Sequence, residues 1–172
     1  MNLLYGRVAM ADDDMALLGQ MVQGAKAHVE IGTLWGGSAI AALYANREMH
    51  VTCIDPFLGY YGEPDKWAGY DVPSLDKVRA NLACHGMLDR VTLIQALSVP
   101  FPTYETFDTG LIDGDHAPEV VRADWGNLVK AGCKRIACHD MDDEDVAAVV
   151  EDAAQGWTIF GETKRMRVYT CE

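Results

Sequence analysis

Two short polar stretches carry residue types that do chemistry, Asp113-Gly114-Asp115-His116 and His139-Asp140. Each lies at the end of an apolar run, Phe107 to Asp113 and Cys133 to Cys138, that reads as a β-strand. If the two strands are neighbours, ~4.8 Å apart, Asp113 and Asp140 point into one small volume. Two carboxylates that close repel unless they share a proton or a cation. With His139 or water completing the shell, oxygen-rich ligation favours Mg²⁺, Mn²⁺ or Ca²⁺ over a structural zinc. The alternative is that His139 and Asp140 merely cap the helix that follows.

A third stretch reads as a ligand-binding turn. Ala27 to Ile31 is a short, mostly apolar strand that runs into Gly32-Thr33-Leu34-Trp35-Gly36-Gly37-Ser38 and then into the helix-forming run from Ala39 to Tyr44. Strand, glycine-rich turn and helix make the first βα unit of a doubly wound sheet. Glycines let the backbone approach a ligand, and Ser38 with the free N–H groups of the helix start can hold an anion. The spacing departs from the G-x-G-x-x-G dinucleotide fingerprint, because three residues separate Gly32 from Gly36-Gly37. Glu30 beneath the turn would repel a pyrophosphate, whereas a cationic ligand carrying an amino acid group suits it. The alternative is a turn that needs glycine only for packing.

The elements that position these residues follow in order. Asp12-Asp13-Asp14 precede a helical run with Met15, Leu17, Leu18, Met21 and Val22, and suit the helix N-terminus as a cap. His50 to Ile54 is a second strand ending at Asp55, an acidic position fitted to accept hydrogen bonds from ribose hydroxyls, the alternative being an aspartate that caps a turn before Pro56. The long segment from Phe57 to Pro73, rich in aromatics, is expected to form a mobile lid, the alternative being that its aromatics pack on the domain's own helices. Ser74 caps a helix containing Val78 and Leu82, closed by Gly86. Arg90 to Gln95 is the third strand. Pro100 to Thr106 makes a connection with at most a short helical turn. Pro118 starts the helix after Asp113, and Asp142 to Asp145 form the acidic first turn of the helix from Val146 to Ala154. Gly156 to Phe160 and Arg165 to Thr170 finish the chain as a hairpin-like antiparallel edge. A β-α order repeated five times, then two strands, predicts an α/β domain with an open, doubly wound sheet. Glu30, Asp55, Ser98, Asp113, His116, His139 and Asp140 all fall at carboxyl ends of strands, where such sheets bind ligands.

Composition fits one globular domain over residues 1–172, with 49% hydrophobic and 23% charged residues. A net charge of −12 disfavours nucleic acid as a partner. No apolar run approaches a membrane span of ~20 residues, and the start of the chain lacks the apolar core of a secretory signal. The five cysteines have no C-x-x-C pairing and read as reduced thiols of a cytoplasmic protein.

Taken together these stretches resemble the class I S-adenosylmethionine (SAM)-dependent methyltransferases, and within them the small metal-dependent O-methyltransferases akin to catechol and macrolide-sugar enzymes. The residues that carry the likeness are Glu30-Ile31-Gly32 with Gly37-Ser38, Ile54-Asp55, Val91-Thr92-Leu93 with Ser98, Ile112-Asp113-Gly114-Asp115-His116 and His139-Asp140. The resemblance implies a Rossmann-like, mostly parallel seven-stranded sheet with helices on both faces and an antiparallel final strand. It implies that Glu30, Gly32, Gly37 and Ser38 hold the methionine part of SAM, Asp55 the ribose and Ser98 the adenine region. Asp113 and Asp140, with His139 beside them, would bind Mg²⁺ or Mn²⁺, and His116 would deprotonate the hydroxyl of a small-molecule acceptor. His139 stands where catechol-type enzymes carry a carboxylate. The segment before the first strand is short, so the acceptor pocket is expected to be open or completed by a second subunit in a homo-oligomer. Two other functions remain as alternatives: a non-catalytic SAM-binding or interaction module of the same fold, and a nicotinamide-dependent oxidoreductase, which the glycine spacing and Glu30 disfavour.

Overall fold

In a computed structural model, which describes residues 1–58 and 72–171, twelve named elements build a seven-stranded sheet with helices on both faces. They are α1 (Asp12–Met21), β1 (Ala27–Ile31), α2 (Gly37–Ala45), β2 (His50–Asp55), α3 (Leu75–Cys84), β3 (Val91–Gln95), β4 (Thr109–Ile112), α4 (Pro118–Lys130), β5 (Arg135–Cys138), α5 (Glu144–Ala153), β6 (Thr158–Glu162) and β7 (Arg167–Thr170). The sheet order is β3-β2-β1-β4-β5-β7-β6. β1 to β5 pair in parallel, and β7 lies antiparallel to both β5 and β6. This is the predicted doubly wound architecture with an antiparallel final strand. The lid expected over Phe57 to Pro73 falls largely outside the described residues.

The strands alternate their side chains between two cores. Val51, Cys53, Leu111 and Val168 meet Leu17, Leu18 and Met21 of α1, Ile40 and Leu43 of α2, and Val78 and Leu82 of α3. Val29, Ile31, Ile54, Ile112 and Ile136 face the opposite way, onto Val121, Trp125 and Leu128 of α4 and Val146 and Val150 of α5. Both faces are therefore covered, as a parallel sheet requires. Trp125 packs edge-on against Trp157 and Tyr169, at 5.3 and 5.4 Å between ring centroids.

One expectation needs correction. The β-α alternation does not run five times in succession, because residues 96–108 join β3 to β4 without a helix. Pro100 and Pro102 lack the N–H groups a helix there would need. Asp143, rather than the acidic run as a whole, caps α5 by accepting from the N–H groups of Asp145 and Val146. Among the described residues, no helix is long and apolar enough to cross a membrane.

The strand order fixes where a ligand can sit. From β1 the chain adds β2 and β3 on one side, then returns to place β4 and β5 on the other. Connections leaving β1 and β4 therefore diverge, and a crevice opens at their carboxyl ends.

Candidate active site

At that crevice lies a cavity of about 470 Å³. Its walls include Gly32, Gly37, Ser38, Asp55, Ser98, Asp113, His116, His139 and Asp140. Nine of the ten residues singled out from sequence thus line one space; Glu30 does not.

The floor is built by a close backbone crossing. Gly32, with φ +85°, donates its N–H to the Ile54 carbonyl at 3.0 Å and passes so near β4 that a Cβ on it would lie 2.1 Å from the Asp113 carbonyl oxygen. Only glycine satisfies both the left-handed backbone and that approach. Gly36, at φ +80°, then caps α2 and leaves its first N–H groups toward the cavity. Asp55 braces this turn: one carboxylate oxygen accepts from Thr33 N–H at 2.7 Å and Leu34 N–H at 3.0 Å, the other from Phe57 N–H at 2.5 Å. Leu34, Phe57 and Asp140 adopt φ of 50°, 52° and 56°, each just beyond a strand end on this side of the sheet. Left-handed backbone at non-glycine residues costs on the order of 1–3 kcal/mol and gathers at functional sites.

Glu30 sits behind the wall rather than in it. Strand alternation turns its side chain onto the α1–α3 face, where it is fully buried under α2. Burial pushes its carboxyl pKa up to about 8; the hydroxyls of Ser38 and Thr33 pull it partly back, and the nearby carboxylates of Asp113 and Asp55 add to the rise. A neutral carboxyl under Ser38 supports the turn from behind the cavity wall.

At the far end of the cavity, parallel pairing of Ile112 with Cys138 brings Asp113, His139 and Asp140 together. One donor atom from each lies within 4.8 Å of the others. The imidazole Nδ1 of His139 is 3.1 Å from Asp113 and 3.3 Å from Asp140, yet makes no hydrogen bond. Its Nε2 faces the buried carboxylate of Asp14 at 3.3 Å, and Asp14 in turn accepts from the Thr163 hydroxyl. A proton on Nε2, directed at Asp14, leaves the Nδ1 lone pair among two carboxylates. Three electron-pair donors then converge, with the Arg165 guanidinium against Asp140 as the neighbouring positive charge, and this carboxylate–histidine arrangement is how proteins orient a metal ligand. The residues fit a divalent cation. Burial lowers the His139 pKa, but the negative charge of Asp113 and the contact of Nε2 with Asp14 outweigh it and raise the pKa above its ordinary value. His116 leaves β4 on the same turn as Asp113, with Nε2 at 3.0 Å from Asp140 and Nδ1 at 3.9 Å from Asp143.

Several residues here were not singled out from sequence. Asp14 does cap α1, accepting from Ala11 N–H at 3.4 Å, and it also lies on the buried stripe with Leu17, Leu18 and Met21, at helical spacing the sequence displays. Asn81, fully buried on α3, accepts from Tyr5 N–H at 2.8 Å and donates to the carbonyls of Tyr5 and Trp35. It ties the N-terminal segment to the glycine turn, so that Arg7, Ala9 and Met10 wall the cavity. Asp124 of α4 is fully buried, its pKa pushed up to about 6 by burial and moderated by the Ser98 hydroxyl. Asn127 donates to the Ser98 carbonyl at 3.4 Å, so α4 holds the Ser98 loop from behind.

Comparisons with known proteins agree with this geometry. No curated protein matches the chain significantly by sequence. Similar solved structures include an O-methyltransferase from Bacillus cereus in complex with SAH, the demethylated product of SAM, at 17% identity and TM-score 0.69, covering 96% of this chain and 84% of that one. The O-methyltransferase TomG from Streptomyces achromogenes, involved in tomaymycin synthesis and solved with SAM, is similar at 15% identity and TM-score 0.66, covering 94% and 81%. A SAM-dependent O-methyltransferase from Thermotoga maritima is similar at 14% identity and TM-score 0.65, covering 95% and 67%. At these identities the likeness establishes the fold. The family model described as a methyltransferase domain matches residues 29–141, from β1 through the Asp113–His139–Asp140 cluster. The chain belongs to this methyltransferase domain family and has the class I, SAM-dependent methyltransferase fold.

Proposed function

We propose that the protein transfers the methyl group of SAM to a hydroxyl oxygen of a small acceptor, with Asp113, His139 and Asp140 holding a divalent cation and His116 acting as the base. The observation that carries this is the union, in one cavity, of the glycine turn and Asp55 with the Asp113–His139–Asp140 cluster and His116. The SAM- and SAH-bound O-methyltransferases of the same fold support it.

The chain's own groups divide the work. The α2 N-terminus, with Ser38, receives the carboxylate of the methionine part, since its free N–H groups favour an anion. Asp55 accepts from the ribose hydroxyls while its backbone bonds keep the turn in shape. Pro56, Leu58 and Leu97 offer apolar walls beside Ser98 for a flat base. The divalent cation, when bound, supplies the Lewis acidity that lowers the pKa of the acceptor hydroxyl and orients it. His116 takes the hydroxyl proton as the O–CH₃ bond forms and the S–CH₃ bond breaks, which leaves the methylated acceptor and SAH. Asp140 and Asp143 hold the His116 ring in place and stabilise the imidazolium that results.

The test is transfer of labelled methyl from SAM to a panel of phenols and sugars. His116→Ala should lower kcat by ~10²–10⁴-fold while calorimetry finds SAH affinity nearly intact. Chelation should abolish turnover without unfolding, and Mg²⁺ or Mn²⁺ should restore it. Full turnover in chelator would remove the cation from the mechanism, and full turnover in His116→Ala would remove the base.

A further inference from the structure

The turn between β6 and β7 delivers a cation into the acidic end of the cavity, and the transfer chemistry above makes no use of it. Thr163 closes this turn. Its N–H donates to the Met166 carbonyl at 2.8 Å, and its hydroxyl oxygen accepts from the N–H groups of Arg165 and Met166 at 3.2 and 2.9 Å. Met141 N–H, just beyond Asp140, donates to the Arg165 carbonyl at 2.9 Å. The backbone of Arg165 is therefore fixed beside the proposed metal ligands, and its side chain lines the cavity.

The guanidinium pairs with Asp140 Oδ1 through one terminal nitrogen, and its Nε lies 3.3 Å from Asp142 Oδ1. Asp140 Oδ1 is the same atom that approaches His139 Nδ1 at 3.3 Å, and Asp140 Oδ2 is 3.0 Å from His116 Nε2. Both oxygens of Asp140 are thus engaged by nitrogen groups of the chain. A divalent ion in reach of Asp113, His139 and Asp140 needs electron pairs that Arg165 already occupies, and the two cations repel at that distance. The Arg165 side chain is 40% exposed, so it has space to withdraw toward solvent, with Asp142, 38% exposed, to receive it.

We infer that Arg165 is a resident cation that a divalent ion must displace from Asp140, so that metal occupancy is a competition built into the chain. The inference rests on the proposed metal role of Asp113, His139 and Asp140. Arg165 weakens the site for the ion and keeps Asp140 neutralised when the ion is absent. Metal entry and movement of the hairpin side chain toward Asp142 are then one event.

Mn²⁺ binding followed by electron paramagnetic resonance, without SAM or acceptor, tests this. Arg165→Gln should bind Mn²⁺ at least ~10-fold more tightly than the parent, the effect of losing a competing charge at a carboxylate ligand. Arg165→Lys, which keeps the charge, should stay near the parent. Lys164→Gln removes one charge from the same turn at an exposed position and should shift the affinity less than ~2-fold, since an exposed charge is screened. Circular dichroism and SAH titration verify that each variant is folded. Equal Mn²⁺ affinity in the parent and Arg165→Gln, or an equal gain in Lys164→Gln, overturns the competition and leaves the metal site standing. Absence of Mn²⁺ binding in parent and variants alike overturns both.

Discussion

Glu30 gives the protein an unusual dependence of stability on pH. Its carboxyl is fully buried, and its pKa moves from 4.5 to about 8 on folding. The folded chain therefore binds this proton more tightly than the unfolded chain. Stability from Glu30 is complete below the unfolded pKa and declines as pH rises from 4.5 toward 8. At 1.36 kcal/mol per pKa unit, the whole decline is about 5 kcal/mol. His28 works in the opposite direction, its pKa lowered to about 4 by burial, so its contribution is lost as pH falls from 6.5. Asp124, raised to about 6, loses its contribution between 3.8 and 6. Replacing Glu30 by Gln isolates its share, because the other groups titrate in parent and variant alike. Urea unfolding of the ligand-free protein from pH 4.5 to 8 should show the parent losing about 4 kcal/mol relative to Glu30→Gln, since each end of that range lies at one of the two pKa values. For a chain of this size that corresponds to about 8–16 °C in relative Tm. Parallel stability profiles for parent and variant would refute a neutral Glu30 in the fold.

Gly32→Ala should be disruptive for two additive reasons, a left-handed backbone costing ~1–2 kcal/mol and a forced separation from the Asp113 carbonyl costing ~1–3 kcal/mol. The expected fall in Tm is roughly 4–20 °C, read by thermal denaturation, and an unchanged Tm would mean that β1 and β4 do not cross as closely as described. Asp14→Asn removes the carboxylate that orients His139 and should weaken Mn²⁺ binding by ~10–100-fold; unchanged Mn²⁺ affinity would separate Asp14 from the site.

How far the site could be read in advance follows from which constraints are local. Strand ends were legible because apolar runs stop at charged or glycine residues, and once β4 and β5 are neighbours, Asp113, His139 and Asp140 must meet. The depth of Glu30 was not legible: strand alternation chooses its face, but α2 lying across that face puts it behind Ser38. Asp14 was within reach, since a carboxylate on the stripe of Leu17, Leu18 and Met21 has to be buried and so needs a partner. Asn81 acts through contacts 46 and 76 residues away, Asp124 through the Ser98 hydroxyl on a distant loop, and Arg165 through a hairpin turn whose register only pairing with β5 defines. The missing helix between β3 and β4 was signalled by its prolines.

Calorimetric titration of SAH into the parent protein and Asp55→Ala tests most directly whether this cavity is where SAM and its product bind. The parent should bind one SAH per chain. Asp55→Ala should weaken binding by about 1–3 kcal/mol, roughly 5- to 150-fold, because it removes the acceptor for the ribose hydroxyls and the brace on Thr33 and Leu34. No binding heat with the folded parent, or the same affinity in both proteins, would contradict the assignment.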